Sequence, residues 1–387
     1  MIAKLPLTAQ DIVEMLASTL LAEMTYSQKL EFSQGHSLAE NFIPDSGTFA
    51  NHDEILERMG MQFAVDSELL RGKSITLIAK RILEHTNGRP QQLTFFTSGS
   101  TGTPVPARSD FADLEQEIHS LARIFTGRKR IVSFVPRHHI YGFLFSILLP
   151  KALGIPVEFR AALPGAEQIK TMRPGDLIIA FPLLWKKLAK LNYPLPDDLY
   201  GVTSTGPCPV ETILSLRASG LCRMTEVYGS SETGGVGFRH DPADLYTLLD
   251  HWEHTADSRI KRTSADGSKH EHILQDNLEW QGENCFRPLK RSDRAVQVGG
   301  INVYPARVEE FFKKCPQIKD CTVRLMRPEE GERLKIFIIP TAETENAVLE
   351  KELRNLANKE LFRHEKPGKY NFGPALPVSD MGKLSDW

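Results

Sequence analysis

From Thr97 to Thr103 every residue is glycine, serine or threonine: Thr97, Ser98, Gly99, Ser100, Thr101, Gly102, Thr103. Such a run turns tightly, brings backbone N–H groups close to an anion and adds hydroxyl donors, which is the chemistry of a phosphate cradle. It lacks the lysine of a Walker loop and the spacing of a dinucleotide loop, and a solvated linker of the same composition is the competing reading. A second Gly/Ser/Thr loop, Tyr228-Gly229-Ser230-Ser231-Glu232-Thr233-Gly234-Gly235, carries a carboxylate and an aromatic ring. Glu232 either satisfies backbone N–H groups in its own turn or, opposite a phosphate loop, holds a divalent cation. His139, in Pro136-Arg-His-His-Ile-Tyr-Gly142, is either a structural histidine at a helix start or part of a site. Lys383, close to the last residue, is by itself a solubilising surface charge.

The elements that must position these groups follow from periodicity. Thr8 caps a helix with Ile12, Leu16 and Leu20 at helical spacing, and Ser74 opens another through Ile75, Ile78, Ile82 and Leu83 that stops at Asn87-Gly88. A strand over 92–96, the polar loop, and a helix capped by Ser109-Asp110 and closed by Gly127 predict the start of an α/β layer. Short β-rich runs at 130–135, 156–159, 176–181 and 201–205 alternate with helical stretches, one of them through Ile213, Leu216 and Leu221. That rhythm predicts a mainly parallel, helix-covered sheet in a large N-terminal domain. Residues 239–290 are polar and charged without a clear repeat. From 295 a strand, a Gly turn and a second strand lead into a helix begun by Pro305, and strands at 322–325 and 334–339 with a helix over 347–361 complete a small α+β domain.

Composition narrows the classes. With 47 basic and 49 acidic side chains the formal net charge is -2, so nothing favours nucleic acid or an anionic membrane as a partner. The five cysteines are odd in number and form no Cys-x-x-Cys pair, which argues against a disulfide framework or a zinc site and fits a reducing cytoplasm. No run of 18 apolar residues and no signal-like apolar segment occurs.

Taken in order, these segments resemble the core motifs of the adenylate-forming superfamily, which includes acyl- and aryl-CoA ligases, peptide-synthetase adenylation domains and firefly luciferase. The loop 97–104 resembles its phosphate loop, 139–142 its acyl-pocket motif, and Tyr228-Gly-Ser-Ser-Glu232 the motif that holds adenine and magnesium. Asp276 lies where a ribose-binding acid is expected, although the flanking Leu-Gln-Asp-Asn lacks the usual Thr-Gly-Asp. Arg291-Ser-Asp293 and Gly299-Gly-Ile-Asn-Val-Tyr-Pro305 resemble the hinge and Gly-rich loop, most closely of aryl-CoA ligases, and Pro377 to Lys383 fits the terminal pattern.

The resemblance implies an ATP- and Mg2+-dependent reaction in two steps, in which a carboxylate forms an acyl-AMP with release of pyrophosphate and a thiol then takes the acyl group. It implies Lys383, Glu232 and His139 as catalytic residues, with Glu232 on the metal. It assigns the nucleotide to Thr97 through Thr103, Thr205, Gly206, Pro207, Tyr228, Gly229, Ser231, Asp276 and Arg291, and the acid and thiol channel to Tyr141, Gly142, Gly234, Gly299 and Gly300. It implies a core domain over 1–291, a hinge at 292–293 centred on Asp293, and a small mobile domain over 294–387. The acceptor is CoA or the phosphopantetheine of an acyl carrier protein, and the acid is small, with a preference for aryl or short unsaturated acids. Two features depart from the family. Val105 stands where a lysine is usual, with Arg108 the nearest cation, and the region before the phosphate loop is short. A rival reading is a nucleotide-binding interaction protein that has lost catalysis. A Walker-type kinase or ATPase is disfavoured by the missing lysine.

Overall fold

Thr8 and Asp11 close the first helix at its start. The Asp11 carboxylate accepts from the Thr8 amide and hydroxyl, both at 2.7 Å, and the Thr8 hydroxyl accepts from the Asp11 amide at 3.2 Å. That helix is α1 (Ala9–Gln28), followed by α2 (His52–Phe63) and α3 (Ile75–Thr86). Ser74 caps α3 by accepting from the Leu77 amide, and Asn87 ends it in the left-handed region. The computed structural model describes residues 3–28, 52–70, 74–98, 104–160, 166–291, 295–299, 301–327, 329–341, 345–377 and 387.

Next come β1 (Gln92–Ser98) and β2 (Pro104–Asp110), which pair only with each other in a two-stranded sheet. This corrects two expectations: 104–110 is a strand, and the polar loop joins a ribbon outside the main sheet. The ribbon is buried mainly on β1, at Leu93, Thr94 and Phe95, while Gln92 and, on β2, Val105, Pro106 and Arg108 are exposed. Asp110 does precede α4 (Phe111–Ile124), yet its side chain makes no cap and instead accepts from the Gln92 amide group at 2.9 Å.

The main sheet then builds from β3 (Arg130–Ser133), β4 (Val157–Phe159), β5 (Asp176–Ile179), β6 (Leu199–Thr203), β7 (Leu221–Ser230), β8 (Gly234–Arg239) and β9 (Tyr246–Leu248). The strands β10 (Trp252–Ala256), β11 (Arg259–Thr263) and β12 (Lys269–Ile273) form a separate antiparallel sheet. β13 (Asp276–Gln281) and β14 (Cys285–Arg291) return to the main one. Its order is β13-β14-β9-β8-β7-β6-β5-β3-β4. Pairing is parallel from β4 to β7 and antiparallel from β7 through β8 and β9 to β14. On β5 all four residues are buried, with Leu177 and Ile179 in one apolar core and Ile178 in the other, so both faces are covered.

Between β3 and β4 the apolar run is helical, as α5 (Ile140–Phe143), a wider turn over Leu144–Leu148, and α6 (Leu149–Leu153). The Leu149 amide reaches back five residues to the Leu144 carbonyl, and Pro150, which has no N–H to offer, follows at once. The short α7 (Ala166–Ile169) precedes β5, α8 (Pro182–Leu191) precedes β6 and α9 (Val210–Ala218) precedes β7. Leu221, expected at the end of that helix, begins β7 instead. Gly220 at φ +114° has already turned the chain out of helical geometry.

The chain forms two compact units, Met1–Thr97 with Pro106–Leu289 and Ser98–Val105 with Lys290–Trp387. In the second, β15 (Val296–Val298) and β16 (Ile301–Val303) form a hairpin. α10 (Pro305–Lys313) and α11 (Asn346–Glu360) carry buried residues of the same core as β17 (Ile318–Leu325), β18 (Leu334–Pro340) and β19 (Lys369–Phe372), with Val308, Phe312, Ile336, Ile338, Leu349 and Leu353 at its centre. Among the described residues no helix is long and apolar enough to cross a membrane.

Candidate active site

Parallel strands end on one edge of their sheet, and ligands of such sheets bind beyond those carboxyl ends. His139 follows β3, Thr205 to Pro207 follow β6, and Tyr228 to Glu232 span the end of β7 and its turn. The fold therefore brings these candidates of the first unit to one edge. Thr205 adopts φ +75°, outside the range a non-glycine side chain prefers, so the segment after β6 bends sharply.

The turn after β7 is held by its own hydroxyls. Ser230 Oγ accepts from the amides of Glu232 and Thr233 at 3.2 and 3.3 Å, and Thr233 Oγ1 accepts from the Ser230 amide at 3.2 Å. Its amides thus have partners without Glu232, whose side chain stands exposed at the tip. The reading of Glu232 as the group that satisfies its own turn is replaced by a hydroxyl device. At Gly229 a Cβ would lie 2.1 Å from the Gly234 carbonyl oxygen, so the two arms of the turn approach as closely as glycine permits.

Asp276 is brought to this turn. The Tyr228 hydroxyl donates to Asp276 Oδ2 at 2.7 Å, joining the end of β7 to the start of β13 across 48 residues of sequence. The Tyr228 ring packs against Phe286 and Tyr246, with centroids 5.3 and 5.8 Å away, and these two rings stack on one another at 5.6 Å. Beneath them Glu226 is buried and its carboxylate accepts from Arg239 at 2.5 Å and from the Cys208 amide at 3.1 Å, fixing the segment after β6 to β7. Tyr246, Phe286, Glu226 and Arg239 were not singled out from the sequence. Two of these four lie on β9 and β14, in the stretch whose polar composition concealed its strands.

His139 stands at the start of α5 without a side-chain cap hydrogen bond and is exposed on one side, while the protein packed against its ring lowers its pKa to about 4. His138 is lowered further below the usual histidine value, first by burial and then by His139, and its Nδ1 shares a 2.8 Å hydrogen bond with Ser18. Both imidazoles are therefore neutral near pH 7, and their rings lie 4.2 Å apart. Tyr141 is buried, and its hydroxyl donates to the carbonyls of Ala180 and Val202, each at 3.0 Å, so it offers an aromatic surface rather than a free hydroxyl. Gly142 is required for packing, because a Cβ there would lie 1.9 Å from the Pro136 carbonyl oxygen.

Thr97 and Ser98 close β1 and Arg291 closes β14. Gly234 adopts φ +70° at the start of β8, and Gly299 at φ +61° makes the turn between β15 and β16 in the second unit. Gly99, Ser100, Thr101, Gly102, Thr103, Asp293, Gly300 and Lys383 lie outside the described residues. Val105 is exposed on β2, and strand alternation places Arg108, three residues on, on the opposite face. The cysteines Cys208, Cys222, Cys285, Cys315 and Cys321 are all free. Burial pushes the Cys208 thiol up to about 12, which makes it a poor nucleophile.

Among the described residues no three His, Cys, Asp or Glu side chains converge on a metal position. A single exposed carboxylate such as Glu232 still fits Mg2+, which is held by one or two carboxylates together with substrate phosphates.

The chain belongs to the adenylate-forming superfamily: the AMP-binding enzyme family matches residues 52–259, and the AMP-binding enzyme C-terminal domain matches 307–383. Among its relatives are 4-coumarate–CoA ligases of Rhodobacter capsulatus, 39% identical over 79% of this chain and 79% of that one, and of Cereibacter sphaeroides, 37% identical over 78% and 72%. The ligase of the same name from Halorhodospira halophila is 36% identical over 83% of this chain and 81% of its own. Among solved structures, a double mutant of o-succinylbenzoate CoA synthetase from Bacillus subtilis superposes with a TM-score of 0.61 at 18% identity, covering 76% of this chain and 67% of that one. Amide bond synthetase McbA from Marinactinospora thermotolerans gives 0.60 at 17% with the same coverage. At such identity these two establish the fold, a large mixed α/β unit followed by a smaller C-terminal one.

Proposed function

We propose that this chain is an ATP-dependent, AMP-forming acid–CoA ligase acting on an aryl or short unsaturated carboxylic acid. The observation that supports the nucleotide half of this reading is the Tyr228–Asp276 hydrogen bond, which joins an aromatic ring to a carboxylate suited to a ribose, with the exposed Glu232 in the turn that follows Tyr228. The family's chemistry supplies the rest. A substrate carboxylate attacks the α-phosphate of ATP, the bond to the β-phosphate breaks, and pyrophosphate leaves. The CoA sulfur then attacks the acyl carbon, AMP leaves, and the thiol proton passes to solvent or base.

In this reading Glu232 holds Mg2+, which neutralises charge on the phosphate oxygens. The 97–103 loop and Lys383 donate to the same oxygens, and removal of one such donor typically costs on the order of 100- to 1000-fold. His139, neutral at physiological pH, borders the acid, and Tyr141 supplies part of an apolar wall. Gly142 keeps the turn before α5 close to that wall, Gly234 lets the backbone bend beside the nucleotide, and Gly299 and Gly300 admit the thiol arm. The second unit rotates about Asp293 between the steps. The 36–39% identical relatives support a hydroxycinnamate-like acid and CoA as acceptor. A carrier-protein phosphopantetheine is the alternative acceptor, and the cytoplasm the expected location.

ATP–pyrophosphate exchange against a panel of aryl, fatty and amino acids tests the first step. Exchange with 4-coumarate or a related aryl acid, largely abolished in Lys383→Ala, is the expected result. Tight ATP binding without exchange for any acid would instead identify a nucleotide-binding protein that has lost catalysis. Mass detection of thioester with CoA or with holo carrier protein decides the acceptor.

A further inference from the structure

Glu117 lies on α4, the helix after the phosphate-loop ribbon, and its side chain is 1% exposed. Its Oε1 accepts from the Gly235 amide at 2.7 Å. A Cβ at Gly234 would lie 2.3 Å from Glu117 Oε2, and one at Gly235 would lie 2.7 Å from Oε1. Two successive glycines therefore admit a carboxylate against the backbone that leaves the Glu232 turn. The carbonyl of the same Gly235 accepts from the Trp252 indole at 2.8 Å. A buried acid on a helix and an indole thus hold the two successive peptide groups on either side of the Gly235 α-carbon, with a pair of glycines making room for the acid.

The proposed ligase chemistry needs none of these contacts directly, but it needs Glu232 and Tyr228 in place. We infer that Glu117 is a positioning residue: through Gly234 and Gly235 its carboxylate sets the turn that carries Glu232, and the charge it bears sets the affinity for MgATP. The inference rests on the ligase reading for its functional consequence and on the geometry alone for the brace.

Charged and titratable groups surround the carboxylate. Asp113, one helical turn earlier on α4, disfavours its ionisation, and Arg262 of β11 favours it. Arg262 is itself held by Asp113 at 3.3 Å. His251, the residue before β10, is buried beside Gly235 and is driven down to about 3 by burial and by Arg262, so it contributes no charge near neutrality. Burial dominates and raises Glu117 to about 7. Its charge therefore changes within the range in which enzymes work. The ionised form is the stronger acceptor for the Gly235 amide.

The test measures the MgATP KM and kcat of pyrophosphate exchange from pH 5.5 to 8.5 for the full chain, Glu117→Gln and Glu117→Ala. Trp252 emission, assigned by difference from Trp252→Phe, reports the same glycine without reference to activity. The expected result is a wild-type KM that rises about three- to tenfold below pH 7 with a coincident change in emission. Glu117→Gln should flatten both profiles, its KM resting at the value the wild type reaches in acid, and Glu117→Ala should raise KM by about tenfold with a smaller effect on kcat. A Glu117→Gln profile that keeps the wild-type inflection overturns the inference, whether or not the alanine variant folds. If even the wild type shows no exchange, the ligase reading fails, and the emission titration still decides the brace.

Discussion

Strands β3, β5 and β6 are buried on almost all positions, whereas β9 and β13 alternate buried or half-buried with exposed residues, and β7 borders both kinds. The central parallel strands have apolar cores on both faces, whereas the outer strands β9 and β13 leave alternate residues to solvent; β8, between β7 and β9, is still buried over its first four residues. The candidate nucleotide site sits at the seam. Tyr228 and Glu232 come from the end of the last parallel strand, and Asp276 comes from the far edge of the antiparallel half. Rigidity and recognition are thus divided, with the central parallel strands providing a fixed ledge and the edge strand β13 delivering a polar side chain to it.

The largest effect should come from the ledge. Ile178→Ala on β5 removes a side chain that is 1% exposed and should cost about 2–5 kcal/mol in denaturant unfolding. An effect below about 1 kcal/mol would break the contrast between the halves. Asp276→Ala on the antiparallel half should leave the melting transition nearly unchanged and lower kcat/KM for MgATP by about 10- to 100-fold in steady-state kinetics.

Glu117→Gln adds a pH dimension, because α4 braces the same seam. The folded pKa of about 7 lies above the ordinary 4.5, so between those values the folded chain holds more protons than the unfolded one. Wild-type stability therefore falls as pH rises through that window and levels off above it. The glutamine variant should melt at nearly the wild-type temperature at pH 5 and a few degrees higher at pH 8, in thermal scans at both pH values. Tyr228→Phe, which removes only the hydroxyl that meets Asp276, should lower MgATP affinity by about threefold, measured by calorimetry. Leu289→Ser on β14, 55% exposed, should change unfolding free energy by less than about 0.5 kcal/mol. A large loss there would mean that the antiparallel half also depends on a covered face.

The two halves were not equally legible in the sequence. β5 and β6 announce themselves as short apolar runs between helical patterns, because burial on both faces demands apolar residues at successive positions. β12 reads Lys-His-Glu-His-Ile and β13 Asp-Asn-Leu-Glu-Trp-Gln, whose polar positions face solvent, and neither was recognised as a strand. β2 was missed for a related reason. Pro104 and Pro106 argue against a central strand, and a two-stranded ribbon is all edge. At the site, Glu232 and Tyr228 were found because loop and side chains are contiguous. Asp276 was placed only by its resemblance to a family position, since no local pattern links it to residue 228. Glu117 had no signal, because a buried acid on an amphipathic helix differs from an exposed one only in what folds against it.

The Tyr141 hydroxyl, shared between the carbonyls of Ala180 and Val202, has a consequence for how this protein can evolve. A change of acid preference through position 141 would strip two strand ends of a common donor, so most variants there carry a folding penalty that selection sees first. His139, exposed and without a side-chain cap hydrogen bond, ties no strand ends together in this way. If the proposed ligase reading holds, new acid preferences should arise in descendants of this chain by change at 139 while 141 stays tyrosine.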